Sequence, residues 1–105
     1  MQWSEQLFLG ESVIKNKDKI IRRINKGKSC QDIYVVCLSY HQGELFDIYH
    51  AQTLLEPFYK DKNLHALGLA QGKAEALQVL EALVAFIYDQ TSGFDMKSYV
   101  KTQMT

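Results

Sequence analysis

One proline, six glycines, two cysteines and a formal net charge of zero remove several classes of protein at once. Proline and glycine this sparse exclude collagen-like and low-complexity chains, and a hydrophobic share of 47% excludes a disordered one. Cys30 and Cys37 stand seven positions apart, a spacing that matches neither a zinc pair nor a redox CxxC, so two reduced thiols are expected. The apolar runs are broken by Glu or Gln well before the ~20 residues that a membrane span requires. Residues 1–10 lack the basic start and small-residue cleavage site of a signal peptide. A cytoplasmic chain without membrane contact is the expectation.

What is present is enough apolar material for one packed domain over residues 1–105. Charge is unevenly placed within it. Residues 1–28 hold seven Lys or Arg against three acids, while 29–105 hold five against nine. Such a split suits an anionic partner, but mutual complementarity or plain solubility explains it more cheaply.

The organising stretch is Leu64 to Tyr88, a strand that turns through Gly72 into a long apolar helix. Between Lys73 and Tyr88 the polar residues are Lys73, Glu75, Gln78 and Glu81, and the last three draw one narrow wet stripe. Leu77, Leu80, Val84 and Ile87 then form one apolar seam and Val79, Leu83 and Phe86 a second. Gly72 reads as the N-cap and Glu75, at the third helical position, as a carboxylate for exposed backbone N–H groups. Ala66, Gly68 and Ala70 leave one strand face small enough for a helix to approach closely.

The remaining elements follow in order. Residues 1–10 carry Trp3, Leu7, Phe8 and Leu9, too apolar for a solvated tail, and should dock on the body. Residues 11–26 read as a basic amphipathic helix, with Val13, Ile14, Ile20, Ile21 and Ile24 on one side and Gly27 as its C-terminal cap. IYVVCLSY at 33–40 is apolar on both faces and reads as a central strand. Residues 45–50 form its hairpin partner through a two-residue Gln42-Gly43 turn, which sets Tyr40 opposite Leu45 and Val36 opposite Tyr49. One face then carries Tyr34, Val36, Leu38, Tyr40, Leu45 and Tyr49, the other Ile33, Val35, Cys37, Phe46 and Ile48. Residues 51–59 give a helical turn or two limited by Pro57. After Gly93, Asp95 caps a short last helix with Phe94 and Tyr99 as its hydrophobic staple. The expected architecture is α+β: a three-stranded mixed sheet with helices, in the order helix, strand, strand, short helix, strand, long helix, short helix. The strand 33–40 lies in the middle, and strand 64–70 runs parallel to 45–50.

No constellation of side chains matches a catalytic pattern. Gly68-Leu-Ala-Gln-Gly72-Lys73 is one residue short of a phosphate loop, and Ala74 replaces the magnesium-binding Ser or Thr, so a structural turn is expected. His41, His50 and His65 fall at strand ends near Glu44 and Asp47, but their spacing fits no ligand pattern. No nucleophile elbow is present, and nothing local activates either cysteine. Tyr34, Tyr40 and Tyr49 on one face beside a basic helix suggest a stacking platform for single-stranded nucleic acid. A pI near 6.8 and strands poor in Lys and Arg speak against it.

The strand IYVVCLSY, then Leu69-Ala-Gln-Gly-Lys-Ala-Glu-Ala76, then Tyr88-Asp-Gln-Thr-Ser-Gly-Phe-Asp-Met-Lys-Ser-Tyr-Val100 give residues 33–100 a resemblance to a group of small bacterial proteins of unknown function. The resemblance implies a bacterial cytosolic protein and transfers no active-site residues. No enzyme, cofactor or metal is therefore expected, and the function read from the sequence is self-association or protein–protein interaction. The alternatives are small-molecule or anion binding, or chemistry at the strand-end histidines, and single-stranded nucleic-acid binding. Counting apolar surfaces against the helices available to cover them points to a symmetric homodimer. Its face would be Val79, Leu83 and Phe86 or Tyr34, Tyr40 and Tyr49, so that Leu83→Glu or Tyr40→Glu splits it. The competing arrangement folds residues 1–10 over that patch.

Overall fold

The computed structural model describes residues 1–41 and 43–104. Its elements are β1 (Gln2–Leu9), a 3-10 turn (Glu11–Asn16), α1 (Lys17–Asn25), β2 (Ile33–Leu38), β3 (Phe46–His50), a 3-10 turn (Thr53–Leu55), α2 (Pro57–Lys60), β4 (His65–Gln71), α3 (Lys73–Thr91), α4 (Met96–Tyr99) and a π-helical turn (Val100–Met104). The sheet has four strands in the order β1-β4-β2-β3, not three. β2 is antiparallel to both β3 and β4, as the expected order required, and the added strand β1 pairs parallel to β4 and makes the sheet mixed. Residues 1–10 do dock, but as an edge strand.

Helices cover both faces, so neither face of the sheet is left in water. Ile33, Val35, Cys37, Ala66 and Leu69 point to one side, under Val13, Ile24 and Leu54 from the first 3-10 turn, α1 and the second 3-10 turn. Val36, Leu67 and Ala70 point to the other, under Ala76, Val79, Leu83 and Ile87 of α3, with Val100 and Met104 beyond. Opposite Cys37 and Val36, β4 carries Ala66 and Gly68, so Leu67 is the extra residue of a bulge. The bulge turns Leu67 and Gly68 to the same side. A Cβ on Gly68 would lie 2.8 Å from Val79 Cγ1, and this is where α3 comes close to the sheet. Ala66 faces the opposite layer.

The hairpin register differs by one residue from the expectation. Val36 pairs with Ile48 and Val35 with Tyr49, and Ser39 N–H donates to the Leu45 carbonyl at 3.0 Å. Gln42, half of the expected two-residue turn, lies outside the described residues. The connection is longer than that turn, with the Ser39 hydroxyl accepting the His41 N–H at 3.0 Å. Because side chains alternate along a strand, this slip puts every β3 residue on the opposite face. Phe46, Ile48 and His50 sit on the α3 side and Asp47 and Tyr49 on the α1 side.

Smaller departures have local causes. The N-terminal helix breaks at Asn16, and only Lys17–Asn25 is α-helical; Gly27, at φ 73°, caps it as expected, its N–H donating to Ile24. Pro57 opens α2 instead of limiting a longer helix, a position where its missing N–H costs nothing. Phe94 is 85% exposed and makes no staple with Tyr99, and Asp95 gives α4 no side-chain cap.

Candidate functional site

α3 has a closed flank and an open one. On the side toward β1, Phe86 meets Phe8 edge-to-face with ring centroids 5.5 Å apart, and Ser4 of β1 donates its hydroxyl to the Met104 carbonyl. Residues 1–10 thus provide cover there, as the competing arrangement required. Val79 and Leu83 lie in the core and are not available to a partner; Leu83 has no exposed surface at all.

The open flank is the other seam. At 100° per residue, Leu77, Leu80, Val84 and Tyr88 lie on the side of α3 opposite Phe86, and therefore toward β2 and β3. Leu77, Val84 and Tyr88 are 47%, 37% and 59% exposed. Beneath them Tyr34, Phe46 and Ile48 are half-buried, packed on the same core as Leu80. β3 ends the sheet, so its outer backbone groups face no strand among the described residues. An apolar band and an unpaired strand edge thus run side by side.

The two edges of the sheet are protected differently. Between Trp3 and Phe8, β1 has four residues where β4 has one, so Ser4–Leu7 leave the register, with Glu5 and Gln6 exposed. A bulge with a charged tip is a usual guard against edge pairing. β3, with sequence FDIYH, has neither proline nor lysine. Its Asp47 faces the other layer, where Tyr49 donates to Oδ2 at 3.1 Å. Burial, then the Asp47 charge and that hydrogen bond, raise the Tyr49 phenol above its ordinary range.

The other residues singled out in the sequence do not assemble. His50 is beside Tyr34 at the start of β2, with rings 5.0 Å apart, whereas His65 opens β4 beside the far end of β2 and His41 follows that end. The length of β2 from 34 to 38, about 13 Å, separates His50 from the other two. Among the described residues no group of three His, Cys, Asp or Glu is placed to hold a metal. Tyr34 and Tyr49 are on opposite faces and Tyr40 lies beyond the strand against Lys62, whose Nζ is 4.8 Å from its ring, so no tyrosine platform forms. The apolar side of α1 is packed against the core through Ile20, Ile21 and Ile24.

At the turn after β4, a protein carboxylate takes the place an anion would want. Glu75 Oε1 accepts the Gln71 N–H at 2.9 Å, and Oε2 accepts the Ser12 hydroxyl at 2.7 Å and its N–H at 3.3 Å. Burial raises this carboxyl, but the bonds from Gln71 and Ser12 outweigh it and leave it below the ordinary value of 4.5. Gly10 makes room, since a Cβ there would clash with the carboxylate. Cys37 is a core thiol pushed up to about 12, first by burial and then by the Asp47 charge.

Comparison with protein-family models, curated proteins and solved structures gives no match to this chain. Among the described residues no helix is long and apolar enough to cross a membrane.

Proposed function

We propose that the protein is a self-associating interaction module, a homodimer joined along β3 and the neighbouring flank of α3. The observation that carries this reading is the continuity of the unpaired, unbulged strand edge with the exposed Leu77, Val84 and Tyr88. A second copy suits this surface better than an unrelated chain. A twofold axis lets an edge strand pair with itself antiparallel, and the same rotation brings each α3 flank against its own copy. One operation meets both demands, pairing for the backbone edge and cover for the apolar flank. The cytoplasm remains the proposed location.

Sedimentation equilibrium at micromolar concentration tests it. Expected is a species of twice the 12.1 kDa chain mass, returning to 12.1 kDa with Val84→Glu, a change on the surface rather than in the core. A single 12.1 kDa species for the unaltered chain overturns the reading.

A further inference from the structure

A groove of about 480 Å³ runs between α1 and the end of the sheet where β1 and β4 both finish and α3 begins. Its floor is apolar, made by Ile20, Cys30 and Ile33. Its rim has two cations, Lys19 and Arg23, one turn apart on α1, and three side-chain amides, those of Asn16, Gln31 and Gln71. No Asp or Glu lines it.

Among the described residues neither cation stands in an ion pair. The ion pair found among the described residues, Lys17 with Asp18 at 3.9 Å, is exposed and outside the groove. Arg23 donates one Nη2 hydrogen bond to the Ser29 carbonyl at 2.8 Å, which steadies the guanidinium across the α1–β2 connection and leaves its other N–H donors for a ligand. Among the described residues the amide side chains of Asn16, Gln31 and Gln71 have no hydrogen-bond partner.

We infer that this groove binds a nucleoside phosphate. A flat ring lies on the Ile20, Cys30 and Ile33 floor, the amides meet the donors and acceptors of its edge, and Lys19 and Arg23 take the phosphates, Arg23 by paired hydrogen bonds. The size suits one nucleotide, because small-ligand sites occupy ~300–1,000 Å³. A polyanion without a ring would leave the floor and the amides unused, and a ring without phosphate would leave the cations unused.

Isothermal titration calorimetry of the full chain at low ionic strength tests the assignment, with ATP, adenosine, tripolyphosphate and a single-stranded oligoribonucleotide as titrants. ATP is expected to bind at least about tenfold tighter than adenosine or tripolyphosphate. Lys19→Gln and Arg23→Gln should each weaken ATP by about tenfold or more, the scale of a hydrogen bond to a charged group. Lys28→Gln, basic and exposed but outside the groove, should leave ATP unchanged. If Arg23→Gln disturbs the loop, seen as a lowered melting temperature, Lys19→Gln and Gln71→Ala decide alone. The inference is overturned by no ATP binding, by tripolyphosphate binding as tightly as ATP, by an equal loss with Lys28→Gln, or by an oligonucleotide whose affinity grows with length and exceeds that of ATP.

Discussion

The two flanks of α3 are built from the same residue types and end in different states. Toward β1, Phe86 is closed over by Phe8, and the sheet edge beyond is deformed by the Ser4–Leu7 excursion. Toward β3, Leu77, Val84 and Tyr88 stay in water beside a regular strand edge. Hydrophobicity alone does not decide which seam of a helix becomes core. What decides is whether an edge-strand side chain reaches the seam, as Phe8 reaches Phe86, whereas Phe46 and Ile48 leave Leu77, Val84 and Tyr88 exposed.

The largest separation of the two flanks comes from neighbours in the sequence. Leu83→Glu buries a carboxylate with no partner under α3 and should abolish cooperative thermal unfolding, since an unpaired buried charge costs several kcal/mol, comparable with the whole stability of a small domain. It therefore unfolds the chain rather than splitting a dimer, contrary to the role the sequence suggested. Next comes Gly68→Ala, which drives a methyl into Val79 and toward the Phe8 carbonyl and so strains the closed side from both layers. About 1–3 kcal/mol of destabilisation is expected by urea denaturation. A neutral result would mean that α3 is free to lift from β4.

Glu75→Gln tests the anchor that fixes the start of α3 and has a definite pH signature. The folded-state carboxyl lies below its ordinary value, so its stabilisation is present above the unfolded pKa and is lost as pH falls through the folded one. The substitution should therefore lower the melting temperature at neutral pH, by about 1 kcal/mol in free energy, and make little difference in acid below both values. A melting difference that persists there would show that shape, not charge, does the capping. The smallest effect on the fold falls on the open flank. Val84→Glu should change chain stability by less than about 0.5 kcal/mol, measured by urea denaturation at low concentration, and lower the sedimenting mass only if the proposed dimer forms.

Much of this architecture was legible. β2 stood out because it is apolar on both faces, and its place between β3 and β4 followed from that; α3 stood out through its wet stripe at Glu75, Gln78 and Glu81. β1 was not legible as a strand, because the four-residue excursion destroys the alternation that would mark it and leaves only Trp3, Leu7, Phe8 and Leu9 as a sign of docking. The hairpin slip was hidden because Gln42-Gly43 resembles a tight turn, while the Ser39 and His41 contact that lengthens the connection leaves no periodic trace. The open band was half visible. Both α3 seams could be counted, but which one Phe8 would close depended on the parallel β1–β4 pairing. The groove beside α1 was not visible at all, since Gln31 and Gln71 reach it from strand ends forty residues apart.

That parallel pairing also sets a timetable. Gln2 pairs with His65, so at an elongation rate of about 5–20 residues per second roughly 3–13 s pass between synthesis of β1 and of the strand that receives it. The β2–β3 hairpin closes within microseconds of its own synthesis. Throughout that interval Trp3, Leu7, Phe8 and Leu9 lack the β4 edge on which β1 pairs. The edge of β4 and the Phe86 side of α3 are then filled last, by the strand that was made first.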